Sequence, residues 1–138
     1  MKYISAIAGV LLGLLFIASG LVVLFKLVPI PVPPEGTPAG HFAAAFGPTG
    51  YLNFVKVLEV VGGLLVAIPR TRRMGLLVLG PIIVNILAYH AFVMRGEGLT
   101  QAPILILVAL TLILLWTERR SFLAFALGQA TGAAGKRG

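Results

Sequence analysis

The feature that most constrains this chain is a long apolar run over residues 4–28, which only two serines and Lys26 interrupt. As a helix this run would be about 37 Å long, more than the roughly 30 Å hydrocarbon core of a bilayer requires. A cleaved signal peptide is the alternative, with Ala18-Ser19-Gly20 resembling a cleavage site. The apolar run continues well beyond that segment, so it predicts a first membrane-spanning helix.

Three further apolar segments follow, and each is bounded by charged or turn-forming residues. Hydrophobic residues make up 59% of the 138 residues and charged residues only 11%, whereas soluble domains contain about 45–50% and about 25%. This excess predicts an all-α, polytopic membrane protein, with four transmembrane helices in an antiparallel bundle. The predicted spans are residues 4–28, 51–68, 74–94 and 102–117, in a single domain over residues 1–127 that is followed by a flexible basic tail, residues 128–138.

The connection over residues 29–50 has a different composition from the spans. Its first half is rich in proline, which cannot continue a helix. Residues 39–46 are mostly alanine and phenylalanine, so they predict a short interfacial helix before the Gly47-Pro48-Thr49-Gly50 turn. A connection of this length is often functional or covers another part of the fold.

Basic residues predict which way the four spans run. Eight of them fall on one side: Lys2, Arg70, Arg72, Arg73, Arg119, Arg120, Lys136 and Arg137. The positive-inside rule then puts both termini in the cytoplasm and the proline-rich connection outside, as in a bacterial inner-membrane protein. The segment 70–73 is interpreted as a topology anchor that contacts anionic lipids.

Polar residues inside the spans collect toward the outer side in this topology. They are Lys26 in the first span, Asn53, Lys56 and Glu59 in the second, and Asn85 and His90 in the third. An ionisable residue inside a membrane usually faces the protein interior and has a partner. Lys56 and Glu59 are three residues apart and can pair, and Lys26 and His90 could reach the same place.

Two interpretations of this polar cluster remain open. The functional one is a pocket under the outer connection that binds a quinone head group, a small anion or a proton, with Glu35 and His41 as further candidates in the connection. The structural one is a buried ion pair that fixes helix packing, while the lysines extend to lipid head groups.

Small residues and a proline predict how the helices pack. Glycines allow helices to approach closely, and Pro81 predicts a kink near which Asn85 could bond across helices. The glycines proposed for helix packing are Gly9, Gly13, Gly20, Gly62 and Gly63.

Several classes of site are absent from the sequence. There is no cysteine, which excludes disulfides and thiolate chemistry, and two histidines are too few for a zinc site made of protein ligands alone. The net charge of +7 comes mostly from residues that flank apolar runs. Membrane topology therefore explains it, and we predict neither a metal site nor nucleic-acid binding.

Three segments resemble the DoxX-like family of small four-helix membrane proteins. They are GLLFIASGL at 13–21, VLEVVGGLL at 57–65 and LGPIIVNILAYHAF at 79–92. The resemblance covers roughly residues 5–117 and puts Lys26, Glu59, Asn85 and His90 at motif positions. It implies a small membrane subunit, or an accessory factor, of a quinone-linked redox complex.

The functional expectation is therefore an accessory membrane subunit, with lipid, redox-complex subunits or a second copy as partners and a quinone as its possible ligand. A membrane scaffold, a lipid-binding protein or a small-solute carrier is the alternative. A stand-alone enzyme is the least favoured hypothesis, because the chain has no evident redox centre or catalytic motif.

Overall fold

The computed structural model describes residues 1–128, and within them every regular element is helical. The five helices are α1 (Lys2–Leu24), α2 (Pro38–Phe46), α3 (Tyr51–Ala67), α4 (Arg72–Ala88) and α5 (Ala102–Ala126). A 3₁₀ turn, Gly47–Thr49, leads into α3, and a π-helical turn, Tyr89–Val93, extends α4. Apart from Gly128, the predicted basic tail lies outside the described residues.

Three helices in the described part of the chain are long and apolar enough to cross a membrane. They are α1, α4 together with its π-helical turn, and α5. The pair formed by α2 with its 3₁₀ turn and α3 also passes this test, but its two parts are bent by 83°. Counting that pair as one span gives up to four spans. Helix α3 does not pass the test by itself, because it has 17 residues and is only about 25 Å long.

Glycines set the contact between α1 and α3, which run in opposite directions. A Cβ on Gly9 would meet Val66, one on Gly13 would meet Gly63, and one on Gly20 would meet Val60. All three α1 positions are buried. The glycines of the first span thus let the backbones of α1 and α3 approach each other directly.

The other helices pack on this pair to different extents. On α4, Gly75 lies against Val66 of α3, and Leu79 lies against Gly62. Helix α5 packs mainly on α1 and contributes Leu107 and Leu114 to the core. Between α4 and α5 an open apolar groove of about 270 Å³ remains, lined in part by Gly80, Ile83, Val108 and Thr111.

The two ends of the helices are distinct. The loop end carries the proline-rich connection and the turn after α4, which together line one cleft. The Arg72 end carries the start of α1, the turn between α3 and α4, and the second half of α5. These two names are used below.

The helix bounds correct the sequence expectation at one place and settle, at another, a question that the sequence leaves open. Helix α1 ends at Leu24 and not at Val28, because Lys26 adopts a left-handed conformation with φ 51°. Leu27 N–H then donates to Val22 O at 3.0 Å, the bond that closes a Schellman-type helix end. The sequence leaves open whether the residues after the fourth predicted span prolong its helix, and the structure shows that α5 continues to Ala126.

The structure also shows where two other local predictions fall. The short helix expected over residues 39–46 is present as α2, where the Thr37 side chain accepts a hydrogen bond from Gly40 N–H at 3.1 Å. Pro81 lies inside α4, which continues through it as one helix, and the kink expected there stays a prediction.

Candidate functional site

The expected ion pair between Lys56 and Glu59 is present on α3. Lys56 Nζ donates to both carboxylate oxygens of Glu59, at 2.9 Å to Oε1 and 2.8 Å to Oε2. The Glu59 residue is 2% exposed, while the Lys56 side chain is 23% exposed. The carboxylate is therefore buried with its charge compensated, and the ammonium group lies at the edge of the packed region.

Ser19 of α1 is the third member of this cluster. Its hydroxyl donates to Glu59 Oε2 at 3.2 Å and accepts from Lys56 Nζ at 3.2 Å. Ser19 reaches α3 because the next residue is Gly20, where a Cβ would come within 2.9 Å of Lys56 O. We call Ser19, Lys56 and Glu59 the polar triad. The sequence reading named the two charged residues and did not assign Ser19 a role.

Lys26 and His90 do not join the polar triad. Lys26 is exposed beyond the end of α1, and the described residues show no ion pair between it and Glu59. The Nδ1 atom of His90 lies 2.8 Å from Ile86 O, one turn earlier on its own helix. The ring also lies against Gly98 of the following turn. The expected convergence of these residues on Glu59 is therefore not what the described chain shows.

Asn85 lies on an exposed face of α4. No hydrogen bond of its side chain is seen within residues 1–128, and its neighbour Val84 is 67% exposed. Leu77, two turns earlier on the same face, is 57% exposed. The sequence placed Asn85 between helices of one chain, whereas the structure points it away from them.

The loop end contains a cleft, and none of the residues that the sequence analysis named for a polar pocket lines it. Its volume is about 850 Å³, and its polar lining includes Thr37, Tyr89, Arg95 and Glu97. Glu35 and His41, the loop candidates from the sequence, are exposed and do not line it. A ring contact between Phe42 and Tyr89, with centroids 5.2 Å apart, ties α2 to the end of α4.

Arg72 is more deeply buried than its place in the 70–73 segment indicates. That segment was interpreted as a topology anchor and anionic-lipid contact, and within it Arg72 is only 4% exposed. Its Nε donates to Val66 O at 3.2 Å and its Nη1 donates to Ser5 Oγ at 2.7 Å. The signal that could have revealed it is the Ser5 and Gly9 pair, four residues apart on α1, which supplies both an acceptor and room for a guanidinium.

The neighbouring Arg73 behaves as a surface residue. Its Nε pairs with Glu118 of α5 at 3.2 Å, and its side chain is 65% exposed. Within residues 1–128, no group of three or more histidine or acidic residues is placed to hold a metal ion.

The comparisons with known proteins give one distant similarity. The chain is 38% identical over 74 residues to "Uncharacterized protein YwoB" of Bacillus subtilis strain 168. This alignment covers 53% of the chain and 46% of the relative, so the chain matches about half of that protein's length. No family model and no solved structure matches the chain.

Proposed function

We propose that the chain is a four-span protein of the bacterial inner membrane with both ends in the cytoplasm. The support for the fourth span is the packing of α3, which lies along α1 from Gly9 to Gly20. A helix packed along most of a spanning helix lies at the same depth in the bilayer. Since α3 is only about 25 Å long, it would cross with little tilt or with local thinning of the bilayer.

Exposed aromatic residues support this placement. Trp116 at the Arg72 end is 62% exposed, and Tyr3 at the same end is 85% exposed. Tyr51 begins α3 at the loop end and is 42% exposed. Tryptophan and tyrosine are enriched where a bilayer meets water, so these side chains suit the two interfaces.

The orientation yields a direct prediction. A reporter inserted near Gly36 should read as periplasmic, and one inserted near Arg70 or fused after residue 138 should read as cytoplasmic. The physical reason is the excess of basic residues at the Arg72 end, which retains that end in the cytoplasm. Paired alkaline phosphatase and fluorescent-protein fusions measure both sides, and the reverse pattern would overturn the orientation.

Within this topology, the function that the geometry supports best is that of a small accessory subunit in a larger membrane complex. The observation that carries this proposal is the exposed amide of Asn85. Asn85 lies 13 residues after the first residue of α4, about 20 Å along the helix axis and thus deep in the bilayer. An amide that faces lipid there lacks hydrogen-bond partners, whereas one that faces a partner helix can be satisfied.

The closed polar triad supports the same proposal. Glu59 is buried and engaged by both Lys56 and Ser19, so its carboxylate is occupied within the chain. This arrangement suits a residue that holds α1 and α3 together better than one that binds a ligand or transfers a proton. We therefore propose a scaffold or anchor rather than a stand-alone enzyme. The resemblance to the DoxX-like family favours a quinone-linked redox complex as its setting.

Quinone binding is the second candidate, and the loop-end cleft is the observation that favours it. Quinone sites combine an apolar cleft with a few hydrogen-bonding groups. Tyr89 and Arg95, which carry hydrogen-bonding groups, line the cleft together with proline and valine residues. In a native mass spectrum a bound quinone would appear as a small mass increment on the protein, and a protein partner as a large one.

Asn85 provides the test of the subunit proposal. We expect Asn85→Leu to release the protein from its complex, because the interhelical hydrogen bond of a buried amide contributes about 1–2 kcal/mol in membranes. The measurement is native mass spectrometry of tagged protein extracted gently from its own membrane. The expected result is a higher-mass assembly for the wild type and mostly single chains for the variant.

Asn53→Leu is the matched control, because Asn53 is an exposed asparagine near the start of α3, where water can reach it. It removes the same amide but should leave the assembly intact. A wild-type protein that stays a single chain, or equal loss in both variants, would contradict the subunit proposal.

A further inference from the structure

The guanidinium of Arg72 is buried with one of its nitrogens unsatisfied. Nε and Nη1 donate to Val66 O and Ser5 Oγ, but Nη2 is buried and has no hydrogen-bond partner within the described residues. Buried polar atoms in native proteins are almost always paired. An unpaired donor on a permanent positive charge therefore points to an acceptor that the chain itself does not provide.

Arg72 also lies in the wall of a cleft of about 510 Å³ at the Arg72 end. The start of α1 forms one side with Lys2 and Ser5, and Pro69, Thr117 and Glu118 belong to the other elements that line it. The cleft therefore joins three separate parts of the chain around one buried guanidinium.

The charges at this cleft are predominantly positive. Glu118 is its acidic residue, and that carboxylate is already paired with Arg73. Neither Lys2 nor Arg72 has a carboxylate partner within residues 1–128, where the two ion pairs are those of Lys56 and Arg73. The cleft thus offers two uncompensated cations and a hydroxyl group to an incoming ligand.

We infer that this cleft binds the phosphate group of an anionic phospholipid of the cytoplasmic leaflet. Because Nε and Nη1 are engaged within the chain, Nη2 is the nitrogen of Arg72 that is left to donate a charge-assisted hydrogen bond to a phosphate oxygen. A phosphate has enough acceptors for both Arg72 and Lys2. The adjoining surface of α1 is apolar and exposed, with Ile4 at 54% and Ile7 at 60% exposure. Acyl chains attached to a phosphate in the cleft could lie along this surface.

This inference rests on the proposed membrane orientation but not on the subunit proposal. A phospholipid bound there would connect α1, the α3–α4 turn and α5 at the end where Arg72 already joins the first two. Arg72 is thus assigned to a lipid site, which differs from the general attraction of surface arginines to an anionic membrane.

The test uses the full chain, purified in a non-ionic detergent and titrated with dioleoyl-phosphatidylglycerol while adducts are counted by native mass spectrometry. We expect one tight adduct for the wild type and about tenfold weaker binding for Arg72→Gln, as the loss of charge-assisted hydrogen bonds implies. Arg70→Gln is the matched control, because it removes the same charge from an exposed side chain two residues away. It should change the affinity less than twofold by the same scale.

A second cleft variant and a second ligand complete the test. Lys2→Gln changes an exposed residue of the cleft and provides a second variant if Arg72→Gln does not fold. We expect it to weaken lipid binding more than Arg70→Gln does. Titration with inorganic phosphate distinguishes the source of the phosphate. Equal losses for Lys2→Gln and Arg70→Gln would reduce the effect to surface charge, and phosphate binding as tight as that of the lipid would overturn the lipid assignment.

Discussion

Replacing Lys56 with methionine is expected to lower the free energy of unfolding by about 3–5 kcal/mol, the usual cost of removing one partner of a buried ion pair. Lys56 provides the charge that compensates Glu59, whose side chain is only 3% exposed. Methionine has a similar length but no charge, so Glu59 would keep only the hydroxyl of Ser19. The measurement is helix loss by circular dichroism as sodium dodecyl sulfate is added to mixed micelles.

The double variant Lys56→Met with Glu59→Gln is the control for this prediction. It removes both charges and leaves an amide that Ser19 can still contact, so we expect it to recover most of the stability lost in the single variant. A single variant as stable as the wild type would mean that the pair contributes nothing to holding α1 against α3. A double variant no better than the single one would assign the loss to the lysine's packing and not to the charge.

The sequence predicted this pair because the information is local. Lys56 and Glu59 are three residues apart, and that spacing places them on one side of any helix. Ser19 could not be predicted in the same way, since its partner depends on how α1 is rotated and translated against α3. Gly20 and Gly63 determine that arrangement through contacts between residues far apart in the sequence.

Asn85 shows why the direction of a side chain was harder to predict than its depth. Counting residues along the third span placed it near the middle of that span, and the structure places it 13 residues after the first residue of α4. Its face could not be predicted, because a helix that is apolar all around has no polar stripe to mark the side that meets water. Lipid-facing and protein-facing positions then have the same composition.

Arg72 and Lys26 illustrate a third limit, which is the position of helix ends. From the sequence, a basic residue near the end of a span is interpreted as a topology anchor whether it lies just inside or just outside the packed helices. Lys26 lies outside because α1 ends at Leu24, whereas Arg72 begins α4 and is buried against α1. A shift of a few residues in a boundary thus separates an exposed lysine from a buried arginine.

Of the two glycines in α4, we expect Gly75 to tolerate replacement by alanine less well, with a larger loss in the free energy of unfolding. A Cβ at this position would overlap the backbone N of Val66 and come within 2.8 Å of both Val66 Cα and Leu65 C. These are backbone atoms of α3, so no side-chain rotation can relieve the overlap and the two helices must separate. Overpacking of this kind costs about 1–3 kcal/mol, and we expect the upper end of that range.

Gly80→Ala makes this prediction specific, because it is the same change on the same helix five residues later. A Cβ on Gly80 has no neighbouring atom within 4 Å in the described structure, and alanine favours a helix over glycine by up to about 1 kcal/mol. We therefore expect Gly80→Ala to unfold at the same or a higher detergent fraction than the wild type, and Gly75→Ala at a clearly lower one. Equal loss of stability in both variants would mean that a methyl group on α4 acts through the helix itself. Loss of stability confined to Gly75→Ala would mean that it acts through the contact with α3.

The contact between Gly75 and α3 also supports Arg72, which donates to the carbonyl of Val66. Gly75→Ala should therefore weaken lipid binding at the Arg72 end, while Gly80→Ala leaves it unchanged.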